Sequence, residues 1–134
     1  MKLLTVRQPW AHLIASGKKV IENRRWQTPY RGLLAIQAGK TMDKDEFKAW
    51  QRHGIELTFG AIVCVVRLAD VWNMTTVPVW ALAHEYAESG CGNNFWHLDE
   101  LRVLKTPIPW RGMPGLVTLD TAETARILRA TGVI

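Results

Sequence analysis

The sequence predicts an α+β fold, built on a small curled sheet or β-barrel with helices around it. Three observations carry that prediction. Short apolar runs of strand length are interspersed with stretches of helical periodicity, without the regular strand–helix–strand alternation of a parallel α/β protein. The chain is 134 residues long and 48% hydrophobic, which fits a single domain over 1–134 that buries roughly two-thirds of its unfolded surface. Its longest purely apolar run, Ala61 to Val66, is far shorter than the ~20 residues a membrane-spanning helix needs.

Taken in order, Leu3, Leu4 and Val6 mark a short opening strand. Pro9 suits the first turn of a helix, Trp10, Leu13 and Ile14 share one face of it, and Gly17 ends it. Val20 to Trp26 reads as a strand, Thr28 to Gly32 as a turn, and Leu33 to Ile36 as a buried strand. Asp43 and Glu46 form a capping-box-like start for a helix carrying Phe47 and Trp50 and closed by Gly54. Gly60 opens the strongest strand, Ala61 to Leu68. Val79, Leu82, Ala83 and Tyr86 then give the spacing of an amphipathic helix stopped at Gly90. Phe95 to Leu98 and Leu101 to Leu104 are two strands around Asp99 and Glu100, and the proline-rich residues 106–109 are extended. Leu116 to Leu119 is a last strand, and Asp120 with Glu123 caps a final helix ending near Gly132.

The net charge of +5 is unevenly spread. Residues 1–40 hold eight basic side chains and one acid, Glu22, a net of +7; the remainder carries −2. A clustered positive field is the footprint of a polyanion binder. The charges of Lys2 and Arg7 interrupt any signal-peptide hydrophobic region. The two cysteines, Cys64 and Cys91, form no C-x-x-C pair, so reduced thiols and a cytoplasmic location are expected.

The densest constellation runs from Arg7 to Gly32. If Val20 to Trp26 is a strand, Val20, Glu22, Arg24 and Trp26 share one face, and Lys19, Ile21, Asn23 and Arg25 the other. A carboxylate, a guanidinium and an indole on one face make a workable nucleotide pocket: the carboxylate accepts from a base amine, the cation meets phosphate, and the ring stacks. The alternative is that Trp10 is a core residue and that Glu22 and Arg24 merely pair across a solvated face.

Leu3-x-x-Val6-Arg7-Gln8-Pro9-Trp10-Ala11, Gly17-x-Lys19-x-x-Glu22-x-Arg24-x-Trp26 and Tyr30-Arg31-Gly32-x-Leu34-x-Ile36 resemble the ASCH (activating signal cointegrator-1 homology) domain family, with weaker echoes through Leu119. The resemblance implies a PUA-like fold, a small β-barrel with a cleft between barrel and helix, related to EVE and YTH domains. It implies binding of RNA or another single-stranded or modified nucleic acid. Carried over by motif, Gln8, Pro9, Trp10, Lys19, Glu22 and Arg24 line that cleft. The pattern of cations and rings adds Lys18, Arg25, Trp26, Arg31, Lys40 and Trp96.

Some ASCH-like proteins are similar to hydrolases, either ribonucleases or amidohydrolases of acetylated cytidine. The latter use a lysine of the Gly-x-Lys segment, a threonine three residues on and a distant glutamate. Lys19 matches the lysine here, but Glu22 stands at the threonine position, so Lys19 and Glu22 are the catalytic candidates of that alternative. A third alternative is a protein-interaction module with the tryptophans as an apolar patch. No cofactor is implied. The four histidines, at 12, 53, 84 and 97, lack metal-ligand spacing, and no phosphate-binding glycine loop occurs.

Overall fold

A computed structural model describes residues 1–42, 50, 53–87 and 92–132. Six strands form one mixed sheet: β1 (Lys2–Gln8), β2 (Ile21–Arg24), β3 (Gly32–Met42), β4 (Ala61–Trp72), β5 (Asn94–Pro109) and β6 (Leu116–Thr118). Their order across the sheet is β2-β5-β4-β3-β1-β6, with β1 and β3 parallel and the other neighbours antiparallel. Among the described residues three helices with given bounds accompany it: α1 (Trp10–Ala15), α2 (Val79–Leu82) and α3 (Thr121–Ala130). The α+β expectation holds.

The core follows from period-2 alternation. Leu4, Val6, Leu34 and Ile36 face one side and pack with Trp10, Leu13 and Ile14 of α1. Leu3, Ala35, Ile62 and Val65 face the other and pack with Ile127 of α3. Each fully buried Leu, Ile or Val side chain among these contributes about 1.5–3 kcal/mol. The α3 capping box forms as predicted: the Glu123 amide donates to Asp120 Oδ1 (2.7 Å) and the Asp120 amide to Glu123 Oε1 (3.1 Å).

The expected barrel does not form, because the sheet stays open between its edge strands β2 and β6. Both are short, four and three residues. Strand β6 pairs with β1 only at Lys2 to Leu4, and β2 stops at Arg24, where the chain bends. A side chain spans the seam instead: Arg24 Nη2 donates to the Thr5 carbonyl of β1 at 2.9 Å.

Three further elements differ from expectation. The two strands around Asp99 and Glu100 are one continuous 16-residue strand, β5. It passes through a left-handed Glu100 (φ 48°) with a register shift, and Arg67 grips the Asp99 carboxylate at 2.8 and 2.6 Å beside it. The proline-rich residues 106–109 are extended as expected and complete this strand. The helix expected through Tyr86 is a single four-residue turn, α2. Val79 is 82% exposed and Ala81 is the helix's buried contact, so the apolar spacing did not mark a buried face. The helix ends at Leu82, and farther on Tyr86 adopts a left-handed conformation (φ 65°) with its carbonyl turned to Lys19. The strand expected over Val20–Trp26 is limited to Ile21–Arg24. The capping pair Asp43/Glu46, Phe47, Gly90 and Cys91 lie outside the described residues.

Helix α1 carries a pH-sensitive group. The His12 ring is half-buried, with an edge contact to Trp50 (centroids 5.6 Å). Burial first, and the Lys18 charge second, hold its pKa below the ordinary 6.5. The unfolded chain therefore binds this proton more readily. The stability set by His12 falls as pH drops below about 6.5, and continues to fall until the lowered folded value is passed. Melting temperatures between pH 7.5 and 5.5 are expected to decline less steeply in His12→Gln than in the wild type.

Candidate functional site

The open seam of the sheet is a cleft of about 780 Å³. Strand β1 contributes Thr5 and Arg7, and residues 22–26 form the facing wall. The end of β3 adds Gly39, Lys40 and Thr41, α1 adds Trp10, and the loop 112–115 forms a rim. That loop is tied down from below. Gln37 Nε2 donates to the Trp110 carbonyl (2.7 Å), and the Met113 amide donates to Thr5 Oγ1 (3.1 Å). Behind the facing wall, Gly92 (φ 115°) lies so close that a Cβ there would fall 2.4 Å from the Arg24 carbonyl carbon. Only glycine permits both that backbone geometry and that approach.

Glu22 is the electrostatic centre. Its side chain is only 5% exposed, with Arg24 Nη2 3.0 Å from Oε2 and Lys19 Nζ 3.7 Å from Oε1. Burying a carboxylate is costly without such partners. Lys19 is 1% exposed; its ammonium donates to the Tyr86 carbonyl (2.8 Å) and lies 5.7 Å from the centre of the Trp10 ring. Burial pulls the Lys19 pKa below its ordinary value, Glu22 opposes that pull, and the Arg24 charge reinforces it. The ammonium is thus a prop behind the carboxylate.

Glu22 and Arg24 share a face, as strand alternation predicts. Lys19 does not take the opposite face: it precedes the strand and reaches the same carboxylate. Of the twelve predicted site residues, Trp10, Glu22, Arg24, Arg25, Trp26 and Lys40 line the cleft. Gln8 and Pro9 are buried beside it. The Gln8 amide donates to the Thr58 carbonyl (2.6 Å), and its Oε1 accepts the His12 amide (2.9 Å), so it anchors the start of α1. Trp96 is fully buried under Trp26; their rings meet edge to face at 4.8 Å, and Trp96 Nε1 donates to the Trp26 carbonyl (3.3 Å).

Lys18 and Arg31 are exposed and do not line the cleft. Arg31 donates instead to the Thr28 and Tyr30 carbonyls (2.7 and 2.9 Å) and pairs with Asp70 (3.5 Å). Thr5, Arg7, Thr41 and Met113 were not singled out as site residues. Arg7 carried a signal, a cation alternating with buried Leu4 and Val6, whereas Met113 carried none. Among the described residues no cluster of three or more His, Cys, Asp or Glu gathers to hold a metal, and no helix is long and apolar enough to cross a membrane.

The ASCH domain family model matches residues 4–108. Over 35 residues the chain is 54% identical to activating signal cointegrator 1 of Homo sapiens, which covers 26% of this chain and 6% of that protein. Over 49 residues it is 45% identical to activating signal cointegrator 1 of Mus musculus, covering 36% and 8%. The matched segments thus span under a tenth of the length of these curated relatives. Among solved structures, ASCH from Zymomonas mobilis aligns over 96% of this chain and 93% of its own, with a TM-score of 0.62 at 16% identity. A single-residue variant of the same protein aligns over 96% of both chains, with a TM-score of 0.60. At that identity the likeness shows a shared fold alone.

Proposed function

This chain belongs to the ASCH domain family, and on that premise we propose that it binds single-stranded RNA, or a modified nucleotide within it, in the cleft at the open seam. The observation that carries the reading is the meeting of charge and rings in one place. Arg7, Arg25 and Lys40 are exposed around the cleft, and the half-buried Trp26 lines it beside Glu22 and Arg24, whereas Trp10 reaches it from the core and is itself buried. Cations at a groove mouth meet phosphates, and an indole such as that of Trp26 stacks a base with little sequence preference.

A salt titration tests it. If the three exposed cations each neutralise one phosphate, log K against log salt falls with a slope of about −2 for a single strand. Absence of binding at low salt, or an affinity indifferent to salt, contradicts the reading. The hydrolytic alternative needs Lys19 to meet substrate. Its burial and its bond to the Tyr86 carbonyl favour a positioning role, with binding rather than turnover as the activity of the cleft.

A further inference from the structure

Two polar atoms in the cleft wall lack hydrogen-bond partners although they are buried: Glu22 Oε1 and Arg24 Nε. Lys19 Nζ faces Oε1, but at 3.7 Å it is an ion-pair neighbour beyond hydrogen-bond range. One atom is a pure acceptor and the other a pure donor, and they belong to side chains bonded to each other through Arg24 Nη2 and Glu22 Oε2. Unmet buried groups of this kind cost stability. They therefore mark where a ligand's own donor and acceptor gain most.

We propose that the cleft prefers nucleotides whose base carries an exocyclic amine over those with uracil, and that Arg24 admits them by exchanging partners. This rests on the nucleic-acid reading above and specifies it. Both orphan atoms are sealed from water in this conformation, and Arg24 is tied across the seam by its bond to the Thr5 carbonyl. A phosphate is a stronger partner for a guanidinium than a neutral carbonyl. As the ligand enters, Arg24 releases Thr5, keeps its bond to Glu22 Oε2 and uncovers Oε1. A base amine then donates to Oε1, while a ring nitrogen or oxygen beside it accepts from Arg24 Nε.

Uracil fits badly for a chemical reason. Its single ring N–H on the pairing edge lies between two carbonyl oxygens: when it meets Oε1, one of these oxygens can accept from Arg24 Nε, but the other is brought against the carboxylate. An amine at the end of a base edge has no oxygen on its far side. Glu22→Gln breaks this logic with the shape preserved. Arg24 Nη2 and the Lys19 ammonium each face one carboxylate oxygen, and a glutamine has only one oxygen to offer, so the free anionic acceptor that a base amine needs is lost.

The experiment measures affinities of the full chain for octamers of cytidylate, adenylate and uridylate at one low salt concentration. The wild type is expected to bind the first two about tenfold more tightly than the third. Glu22→Gln, with folding checked by its thermal melt, is expected to lose that preference. Equal, salt-sensitive binding of all three octamers overturns this inference and leaves the nucleic-acid reading standing. A preference that survives Glu22→Gln also overturns it. Absence of binding to all three defeats the underlying reading and the inference with it.

Discussion

Replacing Arg24 with methionine is expected to weaken binding of single-stranded RNA by about 30- to 100-fold, or about 2–3 kcal/mol. Arg24 Nη2 makes two bonds that no other side chain supplies in the described structure: one to Glu22 Oε2 within its own strand, one to the Thr5 carbonyl across the seam. Methionine fills similar space but leaves both acceptors without that donor and removes a cation from the cleft. Arg24→Lys keeps the charge without the planar fork, so it is expected to recover only part of the loss. Fluorescence anisotropy with a labelled oligonucleotide measures both variants. Full recovery by lysine would mean that charge alone matters and that the latch geometry does not.

Removing Trp96 is expected to have the largest effect on stability. Its side chain is fully buried, it stands opposite Glu22 in the β2–β5 pairing, and it supports Trp26 from below. Trp96→Ala leaves a large hole under the wall of the cleft and is expected to cost about 3–5 kcal/mol in urea unfolding. Trp96→Phe retains most of the packing and loses the N–H bond to the Trp26 carbonyl, for a smaller cost of about 1–2 kcal/mol. Equal losses in the two variants would show that the indole N–H, and not ring volume, holds this corner together.

Local signals were legible in the sequence and long-range ones were not. Trp10, Leu13 and Ile14 declared the buried face of α1, and Gly17 its left-handed end, φ 82°. Asp120 and Glu123 declared the capping box of α3. Each of these is settled within four residues. The join of the two predicted strands into β5 was hidden, because Asp99 and Glu100 read as a turn. What keeps them in the sheet is Arg67 on the neighbouring strand, 32 residues away. The expected length of α2 also fails beyond local range: the apolar spacing continues to Tyr86, yet the helix ends at Leu82 and the Tyr86 carbonyl meets Lys19, 67 residues distant.

The site divides along the same line. Glu22, Arg24 and Trp26 were legible because alternate residues of one strand share a face. Thr5 and Met113 were not, since they meet across 108 residues and only the open seam brings them together. Lys18 and Arg31 show the converse. They contributed to the basic character of the first forty residues, yet the fold places them away from the cleft, because charge counting carries no direction.

The central claim is that this seam, and no other surface, receives the nucleic acid. Backbone amide shifts of the isotopically labelled chain, followed while a short single-stranded RNA is added, test it most directly. The account predicts changes concentrated at residues 5–7, 22–26, 39–41 and 112–115. Changes centred instead on the ring cluster of half-buried Trp72 and His97 with exposed Trp80, whose rings lie within 5.9 Å of one another, would contradict it.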